Sequence, residues 1–378
     1  MRRLAKLDYV WIDGYAPKGI RTKSRYTQID FGEEDSPASF NSIIEQIPQW
    51  AFDGSSTNQA GTKDSDLILK PVRFFGNPFH QFNSQNKGGM VSYVVLCEVF
   101  NTDDTPHETN TRAKLREFTK TLEDPNDLWF AVEQEYIFMN PDTGWPSNWE
   151  WDENDKKGKK PKKAQGNYYC GVGSDNVNNV HRQISETHAQ FCIQSGISIG
   201  GINAEVMKSQ WEYQVGPSPA ISCADQLWIS RYILQKLSES RNISISYDPK
   251  PISGNWNGSG AHINFSTRFM REEGGKDYIE LVCETLKENH ENHIEAYGTD
   301  NDKRLTGKHE TAKIDEFSWG ESDRSVSVRI PHATVIEYKG YVEDRRPSAN
   351  MDPYEAFLSL SETLSTLPAV ESQVLINI

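Results

Sequence analysis

Hydrophobic and polar positions alternate most clearly between residues 129 and 138. In Trp129-Phe130-Ala131-Val132-Glu133-Gln134-Glu135-Tyr136-Ile137-Phe138, the residues Phe130, Val132, Tyr136 and Phe138 share one face of an extended chain, because side chains of a strand repeat with a period of two. Glu133 and Glu135 share the other face. Carboxylates so placed lie ~7 Å apart at a rise of roughly 3.4 Å per residue, and each raises the pKa of the other unless a cation lies between them. Four further segments repeat the pattern. Ile202–Val206 embeds Glu205 in an apolar run, and Gln210–Val215 turns Trp211, Tyr213 and Val215 one way and Gln210, Glu212 and Gln214 the other. Ala261–Phe265 sets His262 and Asn264 opposite Ile263 and Phe265, and Tyr341–Arg345 aligns Glu343 with Arg345. Sharing one sheet, these five strands would line a polar wall holding Glu133, Glu135, Glu205, Glu212, His262 and Glu343. An oxygen-rich set of that kind suits Mg²⁺ or Mn²⁺. Six protein ligands exceed what one hydrated Mg²⁺ needs, so two or three ions are expected.

A cluster of arginines follows. Arg304, Arg324, Arg329 and Arg345 fall within a few dozen residues, and in Val326–Ile330 the valines and isoleucine bury one face and leave Arg329 on the other. Planar guanidinium groups grip carboxylate and phosphate through paired hydrogen bonds. Clustered divalent ions beside such arginines point to phosphoryl transfer. The phosphate cradle GxxxxGK[ST] is absent, so a nucleotide would be held by arginines and metals instead. Asn257-Gly258-Ser259-Gly260, just before His262, reads as a tight loop whose backbone can approach a substrate.

The remaining pattern organises the chain around that wall. Residues 1–105 read as β-rich, with strands at Leu7–Asp13 and Val91–Phe100 separated by a turn-rich middle. Pro106–Asn110 reads as the crossing into a second domain, 106–378. Helical spacing appears at Thr111–Leu122, Ala224–Leu237 and Tyr278–Leu286, and at Tyr354–Leu367 after Pro353. The lysine-rich run 156–163 reads as a solvated, mobile loop.

Composition narrows the partners. A chain of 378 residues with 25% charged and 36% hydrophobic residues is ordinary globular protein. Its net charge of -14 argues against a nucleic-acid backbone as partner. Five cysteines without a CxxC spacing fit a reducing compartment. The apolar run Tyr9–Ile12 is too short for a signal sequence, and nothing reaches the length of a membrane span. A cytoplasmic location, with no membrane partner, is expected.

Several motifs together resemble the glutamine synthetase family in its class II form, found in eukaryotes and some bacteria. They are DGSS at 53–56, EQEY at 133–136, NAEVM at 203–207, QWEYQVGP at 210–217, NWNGSGAH at 255–262, RLTG at 304–307, HET at 309–311 and EDRRPSAN at 343–350. The similarity runs from about Tyr9 to about Leu367. It implies an α+β architecture: a small N-terminal β-grasp domain, then a catalytic domain with a curved antiparallel sheet backed by helices. It implies ATP-dependent ligation of ammonia to L-glutamate through γ-glutamyl phosphate. By the same resemblance, Glu135, Glu205 and Glu212 match the first metal site, and Glu133, His262 and Glu343 the nucleotide-linked metals. Arg304, Arg345, Asn257 and the Gly258 backbone match the glutamate seat. Arg324 matches the group that supports the phosphoryl in flight, Arg329 the ATP phosphate contact, and Glu212, Asn264, Ser266 and Tyr341 nucleotide contacts. Asp53 matches the ammonium-binding aspartate, with Ser56 shaping that end of the site, and Glu310 the flap acid that closes over glutamate and takes a proton. The resemblance further implies a ring, a decamer of two pentamers, with sites shared between subunits. The extension carrying an adenylylated Tyr in class I relatives is not found, so that control is not expected. A γ-glutamyl ligase for another amine, or a non-catalytic ring protein of the same fold, would carry the same resemblance. The DGSS motif and the complete ligand set speak against both.

Overall fold

The computed structural model describes residues 2–33, 36–37, 39–80, 89–151, 161–173 and 179–367. The chain divides into two units, Met1–Arg116 with Gln190–Ile197, and Glu117–Ala189 with Ser198–Ile378.

The first unit is built on β1 (Arg2–Ile12), β2 (Ile20–Asp30), β3 (Trp50–Asp53), β4 (Asp66–Gly76) and β5 (Val91–Phe100), in the order β2-β1-β5-β4-β3. Only the central pair, β1 and β5, runs parallel. Leu7, Tyr9 and Trp11 from β1 and Val95 and Cys97 from β5 form its core with Leu69. Helix α1 (Phe40–Gln46) leans on the sheet, with Phe40 stacked on Phe74 at 4.6 Å. The expected turn-rich middle thus contains two strands of 11 residues, β2 and β4. β2 escapes a hydrophobicity reading because it lies at the edge, and of its residues only Ile29 is buried. Its Arg21, Lys23 and Arg25 are the kind of charges that keep an exposed edge from pairing with other chains.

Helix α2 (Thr111–Thr119) stops short of the expected Leu122, which lies in the following turn. A second helix, α3 (Asn179–Gln194), is not foreseen by hydrophobic spacing. Its buried positions His181, Ile184, Ser185, His188 and Cys192 keep helical spacing, but three of the five are polar.

The second unit carries the catalytic-looking sheet. Its strands are β6 (Trp129–Met139), β7 (Ile199–Ala204), β8 (Gln210–Pro219), β9 (Ser244–Ser246), β10 (Ala261–Ser266), β11 (Trp319–Glu321), β12 (Val328–Ile330) and β13 (Val342–Asp344). They run in the order β7-β8-β6-β10-β13-β12-β11, with β9 pairing on β6. The five segments singled out by alternation are therefore consecutive neighbours, β7, β8, β6, β10 and β13. Every pairing among them is antiparallel. Glu205 is a correction of detail, since it lies one residue beyond the end of β7. Arg345 likewise follows β13, and Val326 and Ser327 precede β12.

One face of this sheet is buried as expected. Phe130, Val132, Tyr136 and Phe138 are fully enclosed, and Phe130 stacks on Phe357 of the C-terminal helix at 4.3 Å. Gln134 shares that face at 0% exposure. Its Oε1 accepts from Arg231 Nε (2.9 Å) and Nη2 (2.6 Å), and its Nε2 donates to Ala349 O (3.0 Å). A polar residue in an apolar layer is tolerated only with partners of that kind. On the opposite face the polar wall ends at Glu135. Ile137 and Met139 are covered by Trp149, Ala164 and Met207.

Helices back the sheet. α4 (Ala220–Glu239) is buried nearly all round, and packs between the sheet and the C-terminal helix. α5 (Gly275–Glu288) and α6 (His290–Ala296) follow. α7 (Pro353–Ser365) starts with Pro353, and its N-cap Asp352 accepts from Tyr354 N at 3.0 Å, the arrangement that suits proline at a helix start. The mixed architecture, a curved antiparallel sheet with helices behind it, is the one expected. The run 152–160 lies outside the described residues, so the lysine-rich loop is described only from Pro161 to Lys163.

Candidate active site

Strand register decides which carboxylates meet. Glu212 of β8 lies opposite Glu135 of β6, and Asn203 of β7 lies opposite Glu212. Glu205, in the turn that returns to β8, joins them. One ligand oxygen from each of Glu135, Glu205 and Glu212 falls within 4.8 Å of the others. On the other side, His262 of β10 pairs with Glu133, and Asn264 with Glu343 of β13. Ligand atoms of Glu133, His262 and Glu343 form a second group within the same 4.8 Å limit.

The two groups are balanced differently. Around the first, the donors are neutral. Asn203 donates to Glu205 (2.8 Å), Gln214 to Glu212 (3.0 Å), and Gln210 and Gly260 N to Glu135 (2.9 and 2.7 Å). Burial and the neighbouring carboxylates push Glu205 up to about 9 and Glu212 up to about 8. Among the described residues the hydrogen bonds to these three carboxylates all come from amides, and a divalent cation fits the charge they leave unneutralised.

The second group has its own cations. Glu343, 0% exposed, accepts from Arg345 Nη1 (2.6 Å) and from Arg329 Nε. Burial opposes its charge, but His262 and both arginines outweigh it and hold the carboxyl far below the usual range. Burial also opposes ionisation of Glu133, and the bonds from His262 and Asn264 again prevail, lowering it. His262 Nδ1 lies 3.4 Å from Glu133 and 3.3 Å from Glu343. Burial and Arg345 disfavour its proton, yet the two carboxylates raise it to about 9. The proton between these three side chains stands where a bound cation would satisfy the same atoms. Both donor sets therefore fit divalent metals, oxygen-rich with one imidazole.

A cavity of about 380 Å³ opens over both groups. Asn257, Gly258, Arg304, Glu310, Arg324, Arg329 and Arg345 line it with Glu133, Glu135, Glu205, Glu212 and His262, while Glu343 lies buried behind. Arg304, 6% exposed, is lowered to about 10 by burial, and its Nη2 lies 3.0 Å from His262 Nε2 and donates to Arg345 O (2.9 Å). It presses against the glycine loop so closely that a Cβ on Gly258 would lie 2.5 Å from Pro249 O and 2.9 Å from Arg304 Cγ. Two polar atoms there, Asn257 Oδ1 and Arg345 Nε, are buried without a hydrogen-bond partner among the described residues. One accepts and the other donates, and a buried group left unmade is costly. Glu310 is exposed, with its carbonyl receiving Arg345 Nη2 at 3.2 Å. His309 and Glu310 both hold left-handed backbone, φ 56° and 61°, a conformation that side-chain-bearing residues adopt at some cost.

An apolar cleft of about 470 Å³ adjoins the cavity, sharing Glu133 and Gln214 in its lining. Trp129, Val215, Pro217, Phe265 and Tyr341 supply its walls, and Asn264 and Ser266 its polar rim. Arg271 lies 4.3 Å over the Trp129 ring and donates to Ser266 Oγ (2.9 Å). A flat, apolar slot beside charged groups suits a nucleotide, base in the slot and phosphates in the cavity.

A sequence profile described as glutamine synthetase, catalytic domain, matches residues 108–276. The cytosolic isozyme 1-5 of glutamine synthetase from Arabidopsis thaliana is 43% identical over 360 residues, 94% of this chain and 93% of its own. The chain belongs to the glutamine synthetase family. The glutamine synthetase of Saccharomyces cerevisiae, 44% identical over 94% of this chain and 88% of its own, and that of Emericella nidulans, 43% identical over 94% and 91%, match as well. The protein is accordingly a glutamate–ammonia ligase and makes glutamine from glutamate and ammonia.

Two of the sequence-derived site residues lie in the first unit. Asp53 ends β3 and caps the 3-10 turn Gly54–Thr57, accepting from Ser55 N (3.0 Å), Ser55 Oγ (2.7 Å) and Ser56 Oγ (2.7 Å). These hydroxyl donors hold its carboxyl down at about 2. The turn-capping role and an ammonium-binding role use the same ionised carboxylate. The amides Asn203 and Gln214 line the cavity and Gln210 donates to Glu135; the NAEVM and QWEYQVGP motifs contain all three, but motif matching alone does not pair them with a carboxylate. The period-two placement of the two glutamines on either side of Glu212 was the available signal.

Proposed function

We propose that ATP binds with its base in the cleft lined by Trp129, Phe265 and Tyr341 and its phosphates toward Arg329, and that glutamate occupies the adjoining cavity. The observation that carries this reading is the pairing of two three-ligand groups with four arginines at the junction of a polar cavity and an apolar slot. The unpartnered Asn257 Oδ1 would receive the α-ammonium of glutamate, and the unpartnered Arg345 Nε a carboxylate. Glu135, Glu205 and Glu212 hold one ion, and Glu133, His262 and Glu343 bind those that accompany the nucleotide. Two or three Mg²⁺ or Mn²⁺ ions bound there would neutralise charge on the transferred phosphoryl group.

Glutamate's γ-carboxylate is a poor acyl donor, because oxide cannot leave near neutral pH. Its oxygen attacks the γ-phosphorus of ATP as the bond to ADP breaks, with Arg324 and Arg329 supporting the charge in flight. Ammonia then forms the C–N bond to γ-glutamyl phosphate, and phosphate leaves with the carboxylate oxygen. The ammonium that enters must first lose a proton. Asp53, kept ionised by the donors of Ser55 and Ser56, is suited to bind the cation, and Glu310 on the strained flap to accept its proton.

The sequence separation of Asp53 and Ser56, in the N-terminal domain, from the other site residues, all in the larger one, supports a site shared between subunits. We take residues 1–105 to be a β-grasp domain and 106–378 the catalytic domain, assembled in the cytoplasm as a decamer of two pentameric rings. Contacts that are heterologous in this sense close naturally into rings. Among the described residues no helix is long and apolar enough to cross a membrane.

Subunit mixing tests the arrangement. Asp53→Ala and Arg345→Ala chains, each nearly inactive alone, are unfolded together and reassembled in equal amounts. Shared sites restore about a quarter of wild-type activity, since random mixing makes that fraction of interfaces intact. Activity no higher than the parents, with mixed assembly verified by mass spectrometry, contradicts it.

A further inference from the structure

Gln210 opens β8 on the same face as Glu212, but it is only 2% exposed. Its side-chain nitrogen meets three acceptors: Glu135 Oε2 at 2.9 Å, Gly258 O at 3.0 Å and Ser259 Oγ at 3.3 Å. Its Oε1 is buried with no hydrogen-bond partner among the described residues. The amide therefore serves by its N–H groups alone, and leaves its oxygen at a cost that packing does not explain. Gly260 N, from the same loop, donates to the same carboxylate oxygen of Glu135 at 2.7 Å. Glu135 N in turn donates to Gly260 O at 3.0 Å.

A neutral amide suits this place. A lysine or arginine would neutralise Glu135 and compete with a cation, whereas an amide orients the carboxylate and leaves its charge intact. The loop does not depend on Gln210 for its fold. Ser259 N donates to Pro249 O (2.8 Å), Ala349 N to Ser259 O (3.2 Å), and Asn257 N to Gln165 Oε1 (2.6 Å). What Gln210 adds is a direct tie between a carboxylate of the first metal group and the carbonyl of Gly258, a residue of the cavity lining.

We propose that Gln210 is a positioning residue that fixes the Glu135 carboxylate and the Gly258 carbonyl in one register, so that the first metal ion and the amino end of glutamate are located by the same amide. This rests on the reading of Glu135 as a metal ligand and of the Asn257–Gly258 loop as the glutamate seat. Loss of the amide then weakens two ligands bound on opposite sides of it. The nucleotide cleft, whose walls Gln210 does not touch, is left as it was.

The test uses Gln210→Met, which keeps length and removes the donors, and Gln210→Asn, which keeps the amide on a shorter arm. Mn²⁺ is titrated by paramagnetic resonance without nucleotide. L-glutamate on the Mn²⁺-loaded assembly, and ATP separately, are titrated by calorimetry. In the Met variant one tight Mn²⁺ site and glutamate each weaken on the order of 10-fold, the lower end of what loss of an outer partner of a metal ligand costs. ATP affinity stays unchanged. The Asn variant recovers part of one affinity and not both, because its arm spans to one acceptor only. A folded Met variant with wild-type Mn²⁺ and glutamate affinity overturns the proposal, as does an equal loss of all three ligands. If neither variant folds, Gln210 is part of the core and the positioning role is likewise overturned. A wild-type assembly that binds no Mn²⁺ at all would instead remove the underlying ligand assignment, a result distinct from any of these.

Discussion

Glu205 and Asp53 are both carboxylates, and their surroundings drive them in opposite directions. Enclosure beside Glu135 and Glu212 raises Glu205 to about 9, while the hydroxyl donors around Asp53 hold it at about 2. Without a cation, Glu205 and Glu212 carry protons at neutral pH, so a divalent ion must displace them. Its affinity should therefore rise with pH up to about 9, where the higher of the two carboxyls has ionised. Glu205→Ala should cost one tight Mn²⁺ site and more than about 100-fold in glutamine synthesis, since even an outer partner of a ligand can be worth 10- to 100-fold. Paramagnetic resonance counts the sites, and an unchanged stoichiometry in a folded assembly would contradict the assignment. At this scale the clustering of the acids was legible in the sequence, because each acid interrupts an apolar alternation. The individual roles of the arginines were legible only through the family resemblance, since a guanidinium on a polar face looks the same whether it meets phosphate or an acid.

Elements that carry the site could be read because their two faces differ in kind. β6, β8 and β10 alternate apolar and chemical residues, and register then brings Glu133, Glu135 and Glu212 together. β2 and α3 could not be read that way. β2 has little apolar face, and α3 buries His181, Ser185 and His188 where a core helix ordinarily buries aliphatic residues. The bulge in β8, where register shifts between Val215 and Ser218, is a further hidden feature. Gly216 sits there at φ 105°, and a Cβ would lie 2.6 Å from Phe130 O. Both Gly216 and Pro217 line the apolar cleft proposed for the nucleotide. Gly216→Ala should destabilise the protein by on the order of 1–3 kcal/mol, and should weaken ATP more than glutamate because the strain falls on the cleft wall. Thermal melting and calorimetric titration of the two substrates check it. Equal ATP affinity in the variant would show that the bulge is not held by this glycine.

For the whole molecule, buried histidines set the acid limit of stability. Burial lowers His188 to about 4, and His181 and His293 to about 3. Unfolded, each titrates near 6.5, so the unfolded chain binds more protons between those values. The histidine contribution is fully present above pH 6.5 and is lost as pH falls toward 4, with His188 alone worth about 3 kcal/mol, while Glu205, Glu212 and His262, raised in the fold, oppose it. Urea unfolding of wild type and His188→Gln at pH 7.5 and pH 5 isolates the histidine: the variant should gain stability relative to wild type as pH falls to 5, and an equal difference at the two pH values would mean that His188 is not neutral in the fold. The proposed function brings two reactions into one cavity, phosphorylation of a carboxylate and displacement of the phosphate by ammonia. Oxygen tracing tests that sequence most directly. L-glutamate labelled with ¹⁸O in both γ-carboxylate positions is turned over with unlabelled ATP and ammonium, and the products are weighed by mass spectrometry. A carboxylate that attacks phosphorus hands one of its oxygens to the phosphate, so each phosphate should carry one ¹⁸O and each glutamine should keep one. Phosphate released without label would contradict the γ-glutamyl phosphate route.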